Sequence, residues 1–125
     1  MTRTVRMLIW GREFDLPVIY DCYEGERVTR KQRQALKTLL SNPLWIENAK
    51  CSLEQYCKND VMSDDGNLKK DNVFSYVKPE SVFIKRDKEY PRVALMCKYR
   101  YDLEHGIAVV FSGAGEITIG DQEII

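Results

Sequence analysis

Charge of neither sign predominates in this sequence, histidine occurs once, and the longest apolar runs, 93–97 and 107–111, are no longer than a short strand. Each scarcity excludes something. Lysine plus arginine and aspartate plus glutamate both number 19, so the formal net charge is zero, which argues against a nucleic-acid binder held by a basic field. The short apolar runs fall far below the roughly 20 residues that span a bilayer. The charged start is interrupted by Gly11-Arg12-Glu13 before any signal-peptide apolar region develops. A cytoplasmic location with no membrane partner is expected. The 4 cysteines, at 22, 51, 57 and 97, include no Cys-x-x-Cys pair, so they read as reduced, mostly buried apolar residues. Gly113-Ala114-Gly115 is followed by neither a lysine nor a helix, and no serine sits in a nucleophile elbow. Phosphate-loop and hydrolase chemistry lose their support, and no cofactor is expected.

What is present suffices for a core. Apolar residues make up 44% of the 125 residues, which predicts one α+β domain over residues 1–125. Residues 4–10 and 13–20 read as a β-hairpin with Gly11-Arg12 as its turn. Pro17 places the second strand at a sheet edge or at a bulge. Thr29 with Gln32 forms a capping-box pattern, and Ala35, Leu36, Leu39 and Leu40 share a face, predicting a helix over 29–41. Asn42-Pro43 starts a second helix over 43–58, with Trp45, Ala49, Leu53, Tyr56 and Cys57 along one stripe. Cys57 is expected in the core and Cys51 partly exposed. Two amphipathic helices in succession need a sheet to cover.

Polar residues 59–72, with Asp64-Asp65-Gly66-Asn67, read as a surface loop. Strands are then expected over 81–85, 92–101, 106–112 and 116–119, with Ser112-Gly113-Ala114-Gly115 as a turn, forming a C-terminal antiparallel meander. In the second of these strands one face carries Val93, Leu95, Cys97, Tyr99 and Tyr101. The other is apolar at Ala94 and Met96 and cationic at Lys98 and Arg100. The fold expected is therefore an N-terminal β-hairpin, two consecutive helices and a C-terminal antiparallel meander, with the helices packed on one face of the sheet.

One constellation invites a chemical reading: Asp102, Glu104, His105 and Asp121, with Gln122 and Glu123 beside the last. Oxygen ligands plus one imidazole suit a divalent cation, and a histidine beside a carboxylate suits a general base. Against both, adjacent Glu104 and His105 point to opposite faces of an extended strand. Asp-Leu-Glu-His-Gly reads better as a turn in which the aspartate caps backbone amides and Gly106 supplies positive φ. Arg27, Arg30, Lys31, Arg33 and Lys37 lie on the outer side of the first helix, with Lys50 and Lys58 on the second, as a solvated face or a contact for an acidic protein.

The order Tyr101-Asp102-x-Glu104-His105-Gly106, an alternating strand, then Gly120-Asp121-Gln122 resembles the C-terminal signature of a group of uncharacterised small bacterial domains, and Lys78-Pro79-Glu80-Ser81-Val82 resembles its lead-in. The Ser112–Gly115 turn departs from the tighter hairpin usual there. The resemblance implies a single α+β domain and, for some members, a place among immunity proteins that neutralise toxins. It carries no catalytic residues. The expected function is a non-enzymatic protein-binding module of immunity type, with Tyr76, Tyr90 and Tyr99 as aromatic anchors and a toxin-like protein as partner. The alternative is a metal-binding protein or metal-dependent enzyme using Asp102, Glu104, His105 and Asp121.

Overall fold

The computed structural model describes residues 3–21, 27–60, 73–86, 92–100, 102–112 and 115–125. Strands β1 (Arg3–Ile9) and β2 (Arg12–Tyr20) precede helices α1 (Arg30–Ser41) and α2 (Pro43–Asp60), and then follow β3 (Val77–Ile84), β4 (Val93–Tyr99), β5 (Ile107–Ser112) and β6 (Glu116–Gly120). Short 3₁₀ turns occupy Val73–Ser75 and Gln122–Ile124. The strands form one sheet in the order β1-β2-β3-β4-β5-β6. Neighbours are antiparallel except β2 and β3, whose connection carries both helices and so allows parallel pairing. Hairpin, helix pair and meander are as the sequence leads one to expect, and the helices pack on one face.

Local chemistry sets the elements. Thr29 accepts from the Gln32 amide at 3.1 Å while its own amide donates to Gln32 Oε1 at 2.9 Å, the capping box that starts α1. The β1–β2 turn is Trp10-Gly11 instead of Gly11-Arg12. Its φ values of 49° and 89° are those of a type I′ loop, whose twist matches the flanking strands. Trp10 tolerates the left-handed region because its indole is anchored: Nε1 donates to Ile46 O at 2.8 Å, and the ring lies 5.9 Å from Phe74.

Pro17 departs from expectation, since β2 lies between β1 and β3 and its pairing with β1 runs without a bulge. Pairing with β3 begins only at Val18, so the proline precedes the stretch where its missing donor would count on that side. The bulge falls instead in β3, between Pro79 and Ser81, and β3 starts at Val77, before the residue 81 expected. Buried Pro79 continues the inward alternation of Val77.

Alternation divides the sheet into two faces. Val5, Met7, Ile9, Leu16, Val18, Val82, Ile84, Leu95, Cys97, Tyr99, Ile107, Val109 and Phe111 join Leu36 and Leu39 of α1 and Ile46, Ala49, Leu53 and Cys57 of α2 in one core. Truncating a leucine from such a core costs about 2–5 kcal/mol. Gln32, 0% exposed, ties the layers together: Nε2 donates to Asp21 O at 3.0 Å and to Ile84 O at 3.2 Å. Cys57 lies in the core and Cys51 on the surface. The basic residues of α1 are exposed. No helix among the described residues is long and apolar enough to cross a membrane.

Residues 61–72, with Asp64, Asp65, Lys69 and Lys70, lie outside the described residues, as do Cys22, Tyr90, Tyr101, Gly113 and Ala114. Tyr76 and Tyr99, at 4% and 2% exposure, are core residues, so neither is an exposed anchor. Tyr99 alternates inward with Leu95 and Cys97 of β4, and Tyr76 joins the same core from the turn before β3.

Candidate functional site

The segment with the sole histidine is a closed turn. Asp102 donates its amide to Tyr99 O at 3.1 Å, and Gly106 donates to Asp102 O at 2.9 Å. Asp102 Oδ1 accepts from the His105 amide at 3.2 Å, and the carboxylate meets His105 Nδ1 at 3.1 Å. Hydrogen bonding from the His105 amide, with the nearby imidazole adding to it, holds the Asp102 carboxyl below the usual carboxylate range. Gly106 has φ 63°. A Cβ there would stand 2.7 Å from Cys97 O and 2.6 Å from Gln122 Nε2.

Gln122 locks this turn to the sheet. Its amide donates to His105 O at 3.1 Å and its side chain to Cys97 O at 3.1 Å. Gly120 makes room for Ile124, which a Cβ would approach to 2.8 Å. Asp102, His105, Gly106, Gly120 and Gln122 thus form a latch that fastens the β4–β5 turn to the chain after β6. That is a structural role for each.

As a chemical centre the segment is sparse. Asp102 and His105 come together, both half-exposed; Glu104 projects to solvent. Among the described residues no three His, Cys, Asp or Glu side chains stand close enough to hold a metal ion. An exposed Asp–His pair can orient an imidazole. Burial pushes the Cys97 thiol far above the ordinary thiol range, and a thiol held protonated is a poor nucleophile.

Two other features stand out instead, the first on the sheet face opposite α1 and α2. A row across four strands is apolar: Ile19 pairs with Phe83, Phe83 with Ala94 and Ala94 with Val110. Met96 opposite Ala108 widens it. Ala94, Ala108 and Val110 form a second buried cluster on which Phe83, Met96 and Ile125 pack, and Lys85 Nζ donates to Ile125 O at 2.9 Å, tying the tail down. Ile19 remains 46% exposed.

At the other end, Phe74, Tyr76, Val77, Lys78, Lys98, Arg100 and Leu103 line a cleft of about 220 Å³. Lys78 and Lys98 are direct cross-strand partners, and the Arg100 amide donates to Tyr76 O at 2.8 Å. The alternation of β4 already places Lys98 and Arg100 on one face in the sequence. Lys78 joins them only through a register set beside the β3 bulge, which no local pattern announces.

A family model described as "Domain of unknown function (DUF6985)" matches residues 1–125. No curated protein and no solved structure matches the chain.

Proposed function

The chain belongs to that family of domains of unknown function, DUF6985, and from this premise we propose that it is a non-enzymatic protein-binding module. Its partner docks on the helix-free face of the sheet. The observation that carries this reading is the apolar row Ile19–Phe83–Ala94–Val110, which neither α1 nor α2 covers among the described residues, with Lys98 following Met96 on the same face of β4. An apolar centre rimmed by charge is the anatomy of a protein interface; the accessible part here is Ile19, 46% exposed, with half-buried Phe83 and Met96, which together with Ile125 pack over buried Ala94 and Val110. The Asp102–His105 latch supports the reading from the other side, because its polar groups are spent on backbone geometry.

In the specific form proposed, the module is of immunity type and neutralises a toxin by covering it. The test is affinity purification of the full chain from its native cells beside the exposed variant Ile19→Asp. The parent retains a stoichiometric partner and the variant loses it. Expression of that partner alone then arrests growth, and co-expression of this chain restores it. Equal retention by the variant, or no partner at all, refutes the binding face; a partner harmless on its own refutes the immunity role alone.

A further inference from the structure

We propose that the cleft between β3 and β4 is a binding site for an oxyanion carried on an apolar or aromatic stem, a site separate from the apolar row. The argument begins with charge. In a chain of zero net charge, Lys78 and Lys98 stand directly opposite each other across an antiparallel pair, an arrangement that destabilises a sheet when the charges are alike. Arg100, which has interactions of its own, borders the same cleft, so the charge facing this space of about 220 Å³ is that of the two opposed lysines. Glu80 approaches Lys98 at 3.7 Å, with both side chains exposed. A long, solvated pair of this kind offsets little of the repulsion. Asp102, beside Leu103, is committed to the His105 amide and ring.

The remaining wall sets the shape of the ligand. Phe74, Tyr76, Val77 and Leu103 supply an apolar lining under the cations, and Leu103, 75% exposed, forms an outer lip. Phe74 is itself fixed by ring contacts with Trp10 at 5.9 Å and Phe14 at 5.4 Å, with the Arg12 guanidinium 4.6 Å above it. The Arg100–Tyr76 backbone bond pins the rim. Enclosed sites for whole small molecules begin at roughly 300 Å³. This cleft therefore takes one acid group and its stem, with the acid between Lys78 and Lys98 and the stem against Phe74 and Leu103. Charge-assisted hydrogen bonds to the oxyanion would replace the lysine–lysine repulsion with attraction. The acid is either a free small molecule or an acidic side chain of a protein seated on the adjoining sheet face. Only the second source rests on the protein-binding reading.

The experiment is titration of the isotope-labelled full chain, followed by amide chemical shifts. The probes are phenylphosphate, phenylacetate, inorganic phosphate, benzyl alcohol and a capped peptide with one aspartate beside one phenylalanine. Phenylphosphate or phenylacetate is expected to move the amides of Lys78, Lys98 and Arg100. Phosphate without a stem and benzyl alcohol without a charge bind at least about tenfold more weakly. Tighter binding of the peptide than of phenylacetate assigns the acid to a protein; the reverse assigns it to a free small molecule. Both support the site. Lys78→Gln weakens the aromatic acids at least about tenfold without lowering the ligand-free melting temperature, since it removes a repulsion. Lys98→Gln gives an independent second variant. Shifts spread over the basic face of α1, equal affinity in both variants, or no saturable binding by any acid would overturn the proposal. None of these three results bears on whether a protein docks at Ile19 and Phe83.

Discussion

Replacing Gly106 by alanine puts the latch under a load that can be worked out from its surroundings. At φ 63° an L side chain occupies the left-handed region, which costs about 1–2 kcal/mol. The new Cβ would also stand 2.6 Å from Gln122 Nε2 and 2.7 Å from the Cys97 carbonyl oxygen. Gln122 must move and give up its bond to Cys97 O, losing about 1 kcal/mol; the carbonyl belongs to β4 and has little room to yield. The expected loss is about 2–4 kcal/mol. Gly11→Ala is the matched control, because Gly11 has φ 89° with nothing within 4 Å of its would-be Cβ, so it feels backbone strain alone. Urea unfolding at a slope of about 1.5 kcal/mol/M should bring the midpoint of Gly106→Ala down by about 2 M, and that of Gly11→Ala by about half as much. In a Gln122→Ala background Gly106→Ala should cost less, a non-additivity expected of groups in contact. If Gly106→Ala proves no worse than Gly11→Ala, Gln122 does not clamp this turn.

Three further outcomes follow from named contacts. Gln32→Ala removes a buried amide that donates to two backbone carbonyls; a loss of about 2–3 kcal/mol should lower the melting temperature by about 8–15 °C, and Gln32→Leu should not restore it. A thiol reagent should modify Cys51 in the native protein and leave Cys57 and Cys97 untouched until denaturant is added, as peptide mass mapping will show. Asp102 has a folded pKa below its unfolded value of about 3.9, so its contribution to stability is fully present above that pH and lost as pH falls through the folded value. Asp102→Asn should therefore melt below the parent at pH 7, with the gap closing as pH falls below about 4; a gap unchanged in acid would show that the carboxylate charge is not what holds the turn.

Local signals in the sequence were strong where structure is local. Thr29 and Gln32, three apart, mark the start of α1, and Asp-Leu-Glu-His-Gly reads as a capped turn because Asp102 and Gly106 have few other uses at that spacing. Failures came where a distant partner decides. The hairpin turn is displaced by one residue because Trp10 is held in a left-handed conformation by the Ile46 carbonyl, 36 positions away. Pro17 points to an edge by its chemistry, yet β2 lies between β1 and β3, and the proline is tolerated because pairing with β3 begins only at the next residue, Val18. Gln32 is visible as a cap but not as the tie to Ile84, 52 positions on. The cationic cleft needs Lys78 opposite Lys98, and that register depends on where the β3 bulge falls. Tyr99 looks like an interface anchor by residue type and is buried by its place in the strand.

Two surfaces compete for the functional role, the helix-free face and the histidine turn, and one measurement separates them. The affinity of the purified partner is compared for the parent, Ile19→Asp and His105→Ala, each shown to be folded. Docking on the sheet face predicts that Ile19→Asp weakens binding by at least about tenfold while His105→Ala leaves it within about twofold. The reverse order, with His105→Ala abolishing binding and Ile19→Asp tolerated, would place recognition on the latch and contradict docking on the sheet face.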